Sequence, residues 1–200
     1  MTLYDLKPAF QNLLRPLVGR LAAAGITPNQ VTAAACIASI AYGLALFFVD
    51  TPLLWLGLPV FLLLRMMLNA IDGMLAREHN MTSRAGVVLN ETGDLISDAA
   101  LYLAFIGIAT LNDFSVVLFV LFAWLGEVVA ILGYSLCQQR INSGPLGKSD
   151  RAFVMSAIAL LFAVAPDLLN SIVNFLFIAL NILAALTLIN RSQKVIKFHG

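Results

Sequence analysis

Long apolar runs, rather than narrow stripes, set the pattern of this chain. Six stretches, at about 30–49, 52–76, 86–111, 114–136, 152–167 and 169–189, carry few charges. Several approach the roughly 20 residues that a membrane-spanning helix needs, and the fifth is the shortest. Strands are excluded as the spanning element, because barrel strands alternate in polarity and an open sheet edge leaves backbone groups unpaired in lipid. Residues 4–22 read differently. Leu6, Phe10, Leu13, Leu17 and Leu21 recur at spacings of three and four, while Lys7, Gln11, Arg15 and Arg20 lie off that face. This suits a helix lying in the membrane interface. The segment Gly25-Ile26-Thr27-Pro28-Asn29 breaks it: glycine permits the turn, Thr27 is a good N-cap, and Pro28 fits the first helical position. The expected fold is an all-α integral membrane domain over residues 1–200. It has an amphipathic interfacial helix over 1–25, a bundle of six transmembrane helices over 26–190 and a cytoplasmic tail over 191–200.

Composition strengthens the membrane reading. Sixty per cent hydrophobic and 12% charged compares with about 45–50% and about 25% in soluble domains. A net charge of +1 gives no case for nucleic-acid binding. Cys36 and Cys137 stand apart in apolar stretches and are expected to be free thiols. Met1 to Arg20 lacks a short apolar core followed by a small-residue cleavage site, so no signal peptide is expected. The turns Asp50-Thr51-Pro52, Asn112-Asp113 and Pro166-Asp167 hold no Lys or Arg, whereas every basic residue but Arg65 falls on the opposite side. The positive-inside rule therefore places both termini and the 77–86 and 137–151 loops in the cytoplasm of a multi-pass inner-membrane protein. Arg65 and Glu127 are isolated intramembrane charges, which pair with acids or bases of the bundle or line a polar cavity; each is a candidate partner of the other.

Chemistry concentrates between Asn69 and Asp98. Asn69 and Asp72 share one helix face at i and i+3. Asn90, Asp94 and Asp98 form a second stripe at i, i+4 and i+8. A short cytoplasmic loop makes the two helices antiparallel, so the stripes meet as an oxygen-lined pocket. Hard cations such as Mg²⁺ and Mn²⁺ take that ligand set, usually completed by waters and phosphates. Polar glue between helices accounts for the asparagines. It does not account for Asp72, Asp94 and Asp98 with Glu91 beside them, since each charge in the membrane costs about 2.5–3.5 kcal/mol on insertion scales and intramembrane acids usually mark function. Gly73 and Ala76 would let a nucleotide or phosphate approach the backbone.

The frame Asn69-x2-Asp72-Gly73-x2-Ala76-Arg77-x8-Gly86-x3-Asn90-x3-Asp94 runs without a gap. It resembles the signature of the CDP-alcohol phosphotransferases, D-x2-D-G-x2-A-R-x8-G-x3-D-x3-D, and matches it at six of eight positions. Gly25-Ile26-Thr27-Pro28-Asn29-x-x-Thr32 and the Gly147-Lys148-Ser149-Asp150-Arg151 segment also look like that family. The resemblance implies a CDP-activated lipid donor, a small polar alcohol acceptor, one or two Mg²⁺ or Mn²⁺ ions and release of CMP, in phospholipid biosynthesis. By position, Asn69, Asp72, Asn90 and Asp94 would ligate metal, and Asp94 would also be the general base. Gly73, Ala76, Arg77 and Gly86 would frame the cytidine and pyrophosphate. A carboxylate serves as base because neighbouring metals and acids tune its pKa. The family also carries an expectation of a homodimer, with no face indicated.

Two signature aspartates are replaced by Asn69 and Asn90, whose amide oxygens can ligate without formal charge. Asp98, one turn beyond Asp94, is expected to restore a charge to the metal shell, while Glu91 lies about 100° round the helix from Asn90. Three readings stay open: an active variant, a non-catalytic homologue that binds CDP-lipid, and asparagines introduced to trap substrate. A small transporter is a further alternative, against which no internal repeat is visible. On the acceptor side, Arg140, Lys148 and Arg151 are candidates to hold an anion near a helix N-terminus, with topology-setting charge as the plainer account. His79 has no second histidine nearby and reads as solvated.

Overall fold

The computed structural model describes residues 6–49 and 51–198. Met1–Asp5, which begin the amphipathic segment, Asp50 of the first short turn, and the last two residues lie outside the described residues, as do the side chains of Leu6 and Lys7. The described chain is helical: α1 (Leu6–Ala23), α2 (Pro28–Phe48), α3 (Pro52–Glu78), α4 (Arg84–Leu103), α5 (Asp113–Cys137), α6 (Lys148–Val164) and α7 (Pro166–Ile196), with a 3₁₀ turn at Ala104–Gly107 after α4. Both cysteines are free.

Local chemistry sets the helix starts. Thr27 caps α2: its Oγ1 accepts the Gln30 N–H at 3.3 Å, and Gln30 Oε1 accepts the Thr27 N–H at 2.9 Å. Ser83 caps α4 by accepting the Gly86 N–H at 3.0 Å, and Asn112 caps α5 by accepting the Ser115 N–H at 3.2 Å. Proline opens α2, α3 and α7, where a missing N–H costs nothing.

Packing pairs α2 with both α3 and α4, α3 with α6, and α5 with α7. Gly43 is where α2 meets α4: a Cβ there would run into the backbone carbonyl of Ala100. An aromatic core gathers where α3 and α5 begin. Trp55 meets Phe105 and Phe162 edge-on at 5.0 and 5.1 Å, and Phe119 meets Phe177 at 5.9 Å. A second cluster ties α1 to α2 and the last turns of α3 through Leu14, Val18, Val31, Ile71, Met74 and Leu75. The polar site lies between these two apolar masses.

One sequence expectation is corrected. The face of α1 that packs is offset by one residue: Leu14 and Val18 are buried, whereas Leu13 and Leu17 are exposed. Burial against α3 follows Phe10, Leu14, Val18 and Leu21, and the leucines beside them remain for lipid. The last helix runs past residue 190: α7 continues to Ile196, and Arg191 is 2% exposed. Among the described residues, α2, α3, α5 and α7 are long and apolar enough to cross a membrane, which gives four candidate spans by length and composition. The two others fall short for visible reasons: α4 carries the polar stripe, and α6 has 17 residues and opens on Lys148, Asp150 and Arg151.

Candidate functional site

The reversal between α3 and α4 creates the site. Asn80 adopts a left-handed conformation (φ 55°), which suits asparagine, and the Met81 N–H returns to the Ala76 carbonyl at 3.0 Å. The end of α3 thus faces the start of α4. Asn69 donates from Nδ2 to Asp94 Oδ1 at 2.9 Å, and Asn90 donates from Nδ2 to Asp72 Oδ2 at 3.2 Å. Each asparagine therefore reaches the aspartate of the other helix. From α2, Thr32 donates its hydroxyl to the same Asp72 oxygen at 2.7 Å. Lys148, at the start of α6, forms an ion pair with Asp94.

All eight motif positions, Asn69, Asp72, Gly73, Ala76, Arg77, Gly86, Asn90 and Asp94, line one cavity of about 890 Å³. Thr32, Glu91 and Lys148 line it too. Gly86 permits a close approach: a Cβ there would come within 2.7 Å of Asn29 Oδ1, so the Asn29 side chain would have to turn aside for a larger residue. Arg77 is exposed at the cavity and forms no ion pair among the described residues.

The donors suit a hard cation, but sparsely. Asp72 and Asp94 supply carboxylates, and Asn69 and Asn90 supply amide oxygens, an all-oxygen set. Among the described residues no three His, Cys, Asp or Glu side chains gather as a metal site. Two carboxylates fit one divalent ion whose remaining ligands are waters or substrate phosphates more readily than they fit two ions. In the structure the asparagine amides point N–H groups at those carboxylates, so ligation requires each amide to turn its oxygen inward.

Asp98 does not join this lining. It is 3% exposed and lies between two arginines: Arg65 Nη1 donates to its Oδ1 at 2.5 Å, and Arg151 Nη2 lies 3.4 Å from its Oδ2. The carboxylate expected to add charge to the metal shell sits in a buried ion pair, with a guanidinium at each oxygen. Arg65 also donates to the Asp94 carbonyl at 3.1 Å and to its Oδ1 at 3.3 Å, so Asp98 and Asp94, not Glu127, are its partners.

Glu127 instead collects three arginines. Arg151 Nη2 and Arg191 Nη1 meet its Oε1 at 2.8 and 3.1 Å, and Arg140 Nη2 meets its Oε2 at 2.8 Å. Arg140 also donates to Glu91 Oε1 at 2.5 Å. Burial pushes the Arg140 guanidinium down, but the Glu91 and Glu127 carboxylates outweigh it and hold its pKa above the usual arginine value. Of the three cations expected to hold an acceptor anion, only Lys148 lines the cavity; Arg140 and Arg151 do not, and both are bound to acids. His79 is exposed. Thr32 and Arg191 escaped sequence reasoning as site residues. Thr32 stood in a segment quoted only for its helix-start pattern, and Arg191 ends an apolar run where a basic residue ordinarily marks the membrane edge.

Comparison with known proteins agrees with this arrangement. The sequence model of the CDP-alcohol phosphatidyltransferase family matches residues 25–189. The chain is 43% identical over 196 residues to inner membrane protein YnbA of Escherichia coli, covering 98% of this chain and 97% of that one. It is 34% identical over 96 residues to the phosphatidylinositol phosphate synthase of Mycobacteroides abscessus, covering 48% of this chain and 42% of that protein. The fold is shared with the crystal structure of Mycobacterium tuberculosis phosphatidylinositol phosphate synthase with CDP-DAG bound, at a TM-score of 0.73 and 21% identity over 91% of this chain and 92% of that one. A second structure of that enzyme, in complex with manganese and citrate, matches at a TM-score of 0.73 and 22% identity over 91% and 88%. At these identities the structural likeness concerns the fold alone.

Proposed function

The chain belongs to the CDP-alcohol phosphatidyltransferase family, and from that membership we propose that it moves a phosphatidyl group from CDP-diacylglycerol to the hydroxyl of a small polar alcohol, releasing CMP. The observation that carries this reading is the convergence of all eight motif positions on one cavity, with Asp94 joined to α3 and α6 inside it. The mycobacterial enzyme's structures, with CDP-DAG in one and manganese in the other, support the same donor and a divalent cation here.

The residues divide the work. Gly73, Ala76 and Gly86 keep side chains out of the way of the cytidine and pyrophosphate, and Arg77 offers an unpaired cation to a phosphate oxygen. Asp94 takes the proton of the acceptor hydroxyl. The acceptor oxygen then bonds to the phosphorus that carries the diacylglycerol; the bond from that phosphorus to the oxygen bridging to CMP breaks, and CMP leaves with its electron pair. Thr32 and Asn90 hold the Asp72 carboxylate toward the cavity, and Asn69 orients Asp94. Asp72, Asp94, Asn69 and Asn90 would hold a divalent ion, which would supply neutralisation of the pyrophosphate and the leaving phosphate. Lys148 holds Asp94 in place from α6.

In the membrane, α4 and α6 complete a six-helix bundle with the four apolar spans. The basic 77–86 and 137–151 loops lie in the cytoplasm with both termini, so CMP is released there. The loss of two carboxylates at Asn69 and Asn90 favours a second reading, a CDP-lipid binder without turnover. The deciding experiment supplies purified protein with CDP-diacylglycerol, Mg²⁺ or Mn²⁺ and a panel of alcohols. Metal-dependent CMP release with a new lipid product supports the transferase. CDP-diacylglycerol that raises the melting temperature without CMP release establishes the binder.

A further inference from the structure

Resting on the transferase reading, we propose that the acceptor is an alcohol without a phosphate group, and that Glu127 sets this specificity by occupying the arginines that would otherwise hold an anion.

The cavity has two charged sides. On the side of the 77–86 loop, Arg77 faces it without an acidic partner among the described residues, beside the small residues that admit the donor. An acceptor that places its hydroxyl at Asp94 must extend the other way, toward α5, α6 and the loop between them. That side is rich in cations, and each already bonds a carboxylate, with the carboxylates shared among them. Lys148 is paired with Asp94, and Arg65 with Asp98 and Asp94. Arg140 is shared between Glu91 and Glu127, and Arg151 between Asp98 and Glu127. Arg191 meets Glu127 and also donates to the carbonyls of Ser143 and Gly126 at 3.2 and 2.8 Å.

Glu127 is the hinge of this arrangement. It is 5% exposed, comes from α5, and among the described residues is the one carboxylate touched by three arginines, from the 138–147 loop, α6 and α7. A phosphate dianion entering here would have to displace a buried carboxylate that is already bonded, and that carboxylate would have nowhere to go in the apolar interior. A divalent ion on Asp94 would release Lys148 alone, a single ammonium; the guanidiniums behind it stay bound, because Glu127 and Asp98 are outside the cavity lining. Glu91, on the cavity wall, adds like-charge repulsion against an anionic acceptor. An uncharged polyol, or an alcohol bearing an ammonium, meets no such penalty and finds Glu91, Lys148 and Ser135 as polar partners.

The test compares matched acceptor pairs with wild-type protein, CDP-diacylglycerol and Mg²⁺: glycerol against glycerol 3-phosphate, and myo-inositol against inositol 1-phosphate, read as CMP release and as the mass of the lipid product. The expected result is at least a tenfold preference in kcat/KM for the unphosphorylated member of a pair. Preference for the phosphorylated member overturns the inference and leaves the transferase reading standing. No CMP from any acceptor overturns both. A second arm uses E127Q, which removes the charge and keeps the shape. Relative use of the phosphorylated acceptor is expected to rise at least fivefold, and an unchanged ratio in folded E127Q overturns the role given to Glu127. The wild-type comparison decides the acceptor class whether or not that variant folds.

Discussion

Arg65 of α3 and Asp98 of α4 meet at 2.5 Å with both side chains 5% exposed, two charges from the middle of apolar runs that neutralise each other inside the bundle. Arg151 adds a third helix to the pair. Removing the carboxylate leaves two guanidiniums buried without it. Asp98→Ala should therefore lower the unfolding free energy by about 3–5 kcal/mol, read by thermal or denaturant unfolding in detergent. If Asp98 were instead a metal ligand, the variant would keep its stability and need more Mg²⁺ for half-maximal activity.

Asp94 is assigned the acceptor's proton. Asp94→Asn keeps the shape and removes the base, and CMP release should fall by roughly 10²–10⁴-fold. A CMP assay at saturating CDP-diacylglycerol checks this; a rate near wild type would give the proton to another group.

Asn69 and Asn90 set the charge of the metal site. In Asn69→Asp with Asn90→Asp, four carboxylates would surround the ion, and the half-saturating Mg²⁺ concentration should drop on the order of tenfold, since ligand charge tunes affinity for hard cations. Activity that appears only in this double variant would mark the natural protein as a binder.

The packed face of α1 separates stability from lipid contact. Leu14 is 4% exposed and Leu13 is 75% exposed. Leu14→Ala should cost about 2–5 kcal/mol, as buried leucine truncations do, while Leu13→Ala should stay within about 0.5 kcal/mol. Paired unfolding curves test the difference. Equal losses would place both leucines in packing.

The motif was legible in the sequence because its spacing is a local property. A gap-free frame on two antiparallel helices dictates that Asp72 and Asp94 approach each other, whatever the rest of the bundle does. The Thr27 cap was legible for the same reason, since its partners lie within three residues. The amphipathic face of α1 was only partly legible. A period of three to four leaves two adjacent stripes, Leu13–Leu17 and Leu14–Val18, and only the position of α3 chooses between them. Arg65 and Glu127 were recognisable as unusual charges, but not as belonging to different partners.

By itself, then, the sequence determined an all-helical membrane protein of this family with its motif at residues 69–94, since apolar run length, capping and motif spacing act over a few turns of one chain segment. Tertiary structure alone decided that Asp98 lies between Arg65 and Arg151, that Arg191 turns inward, and that Glu127 gathers Arg140, Arg151 and Arg191. Those choices depend on how helices far apart in sequence are rotated against one another. In an interior that pays heavily for an unmatched charge, that rotation fixes which acid each guanidinium can reach.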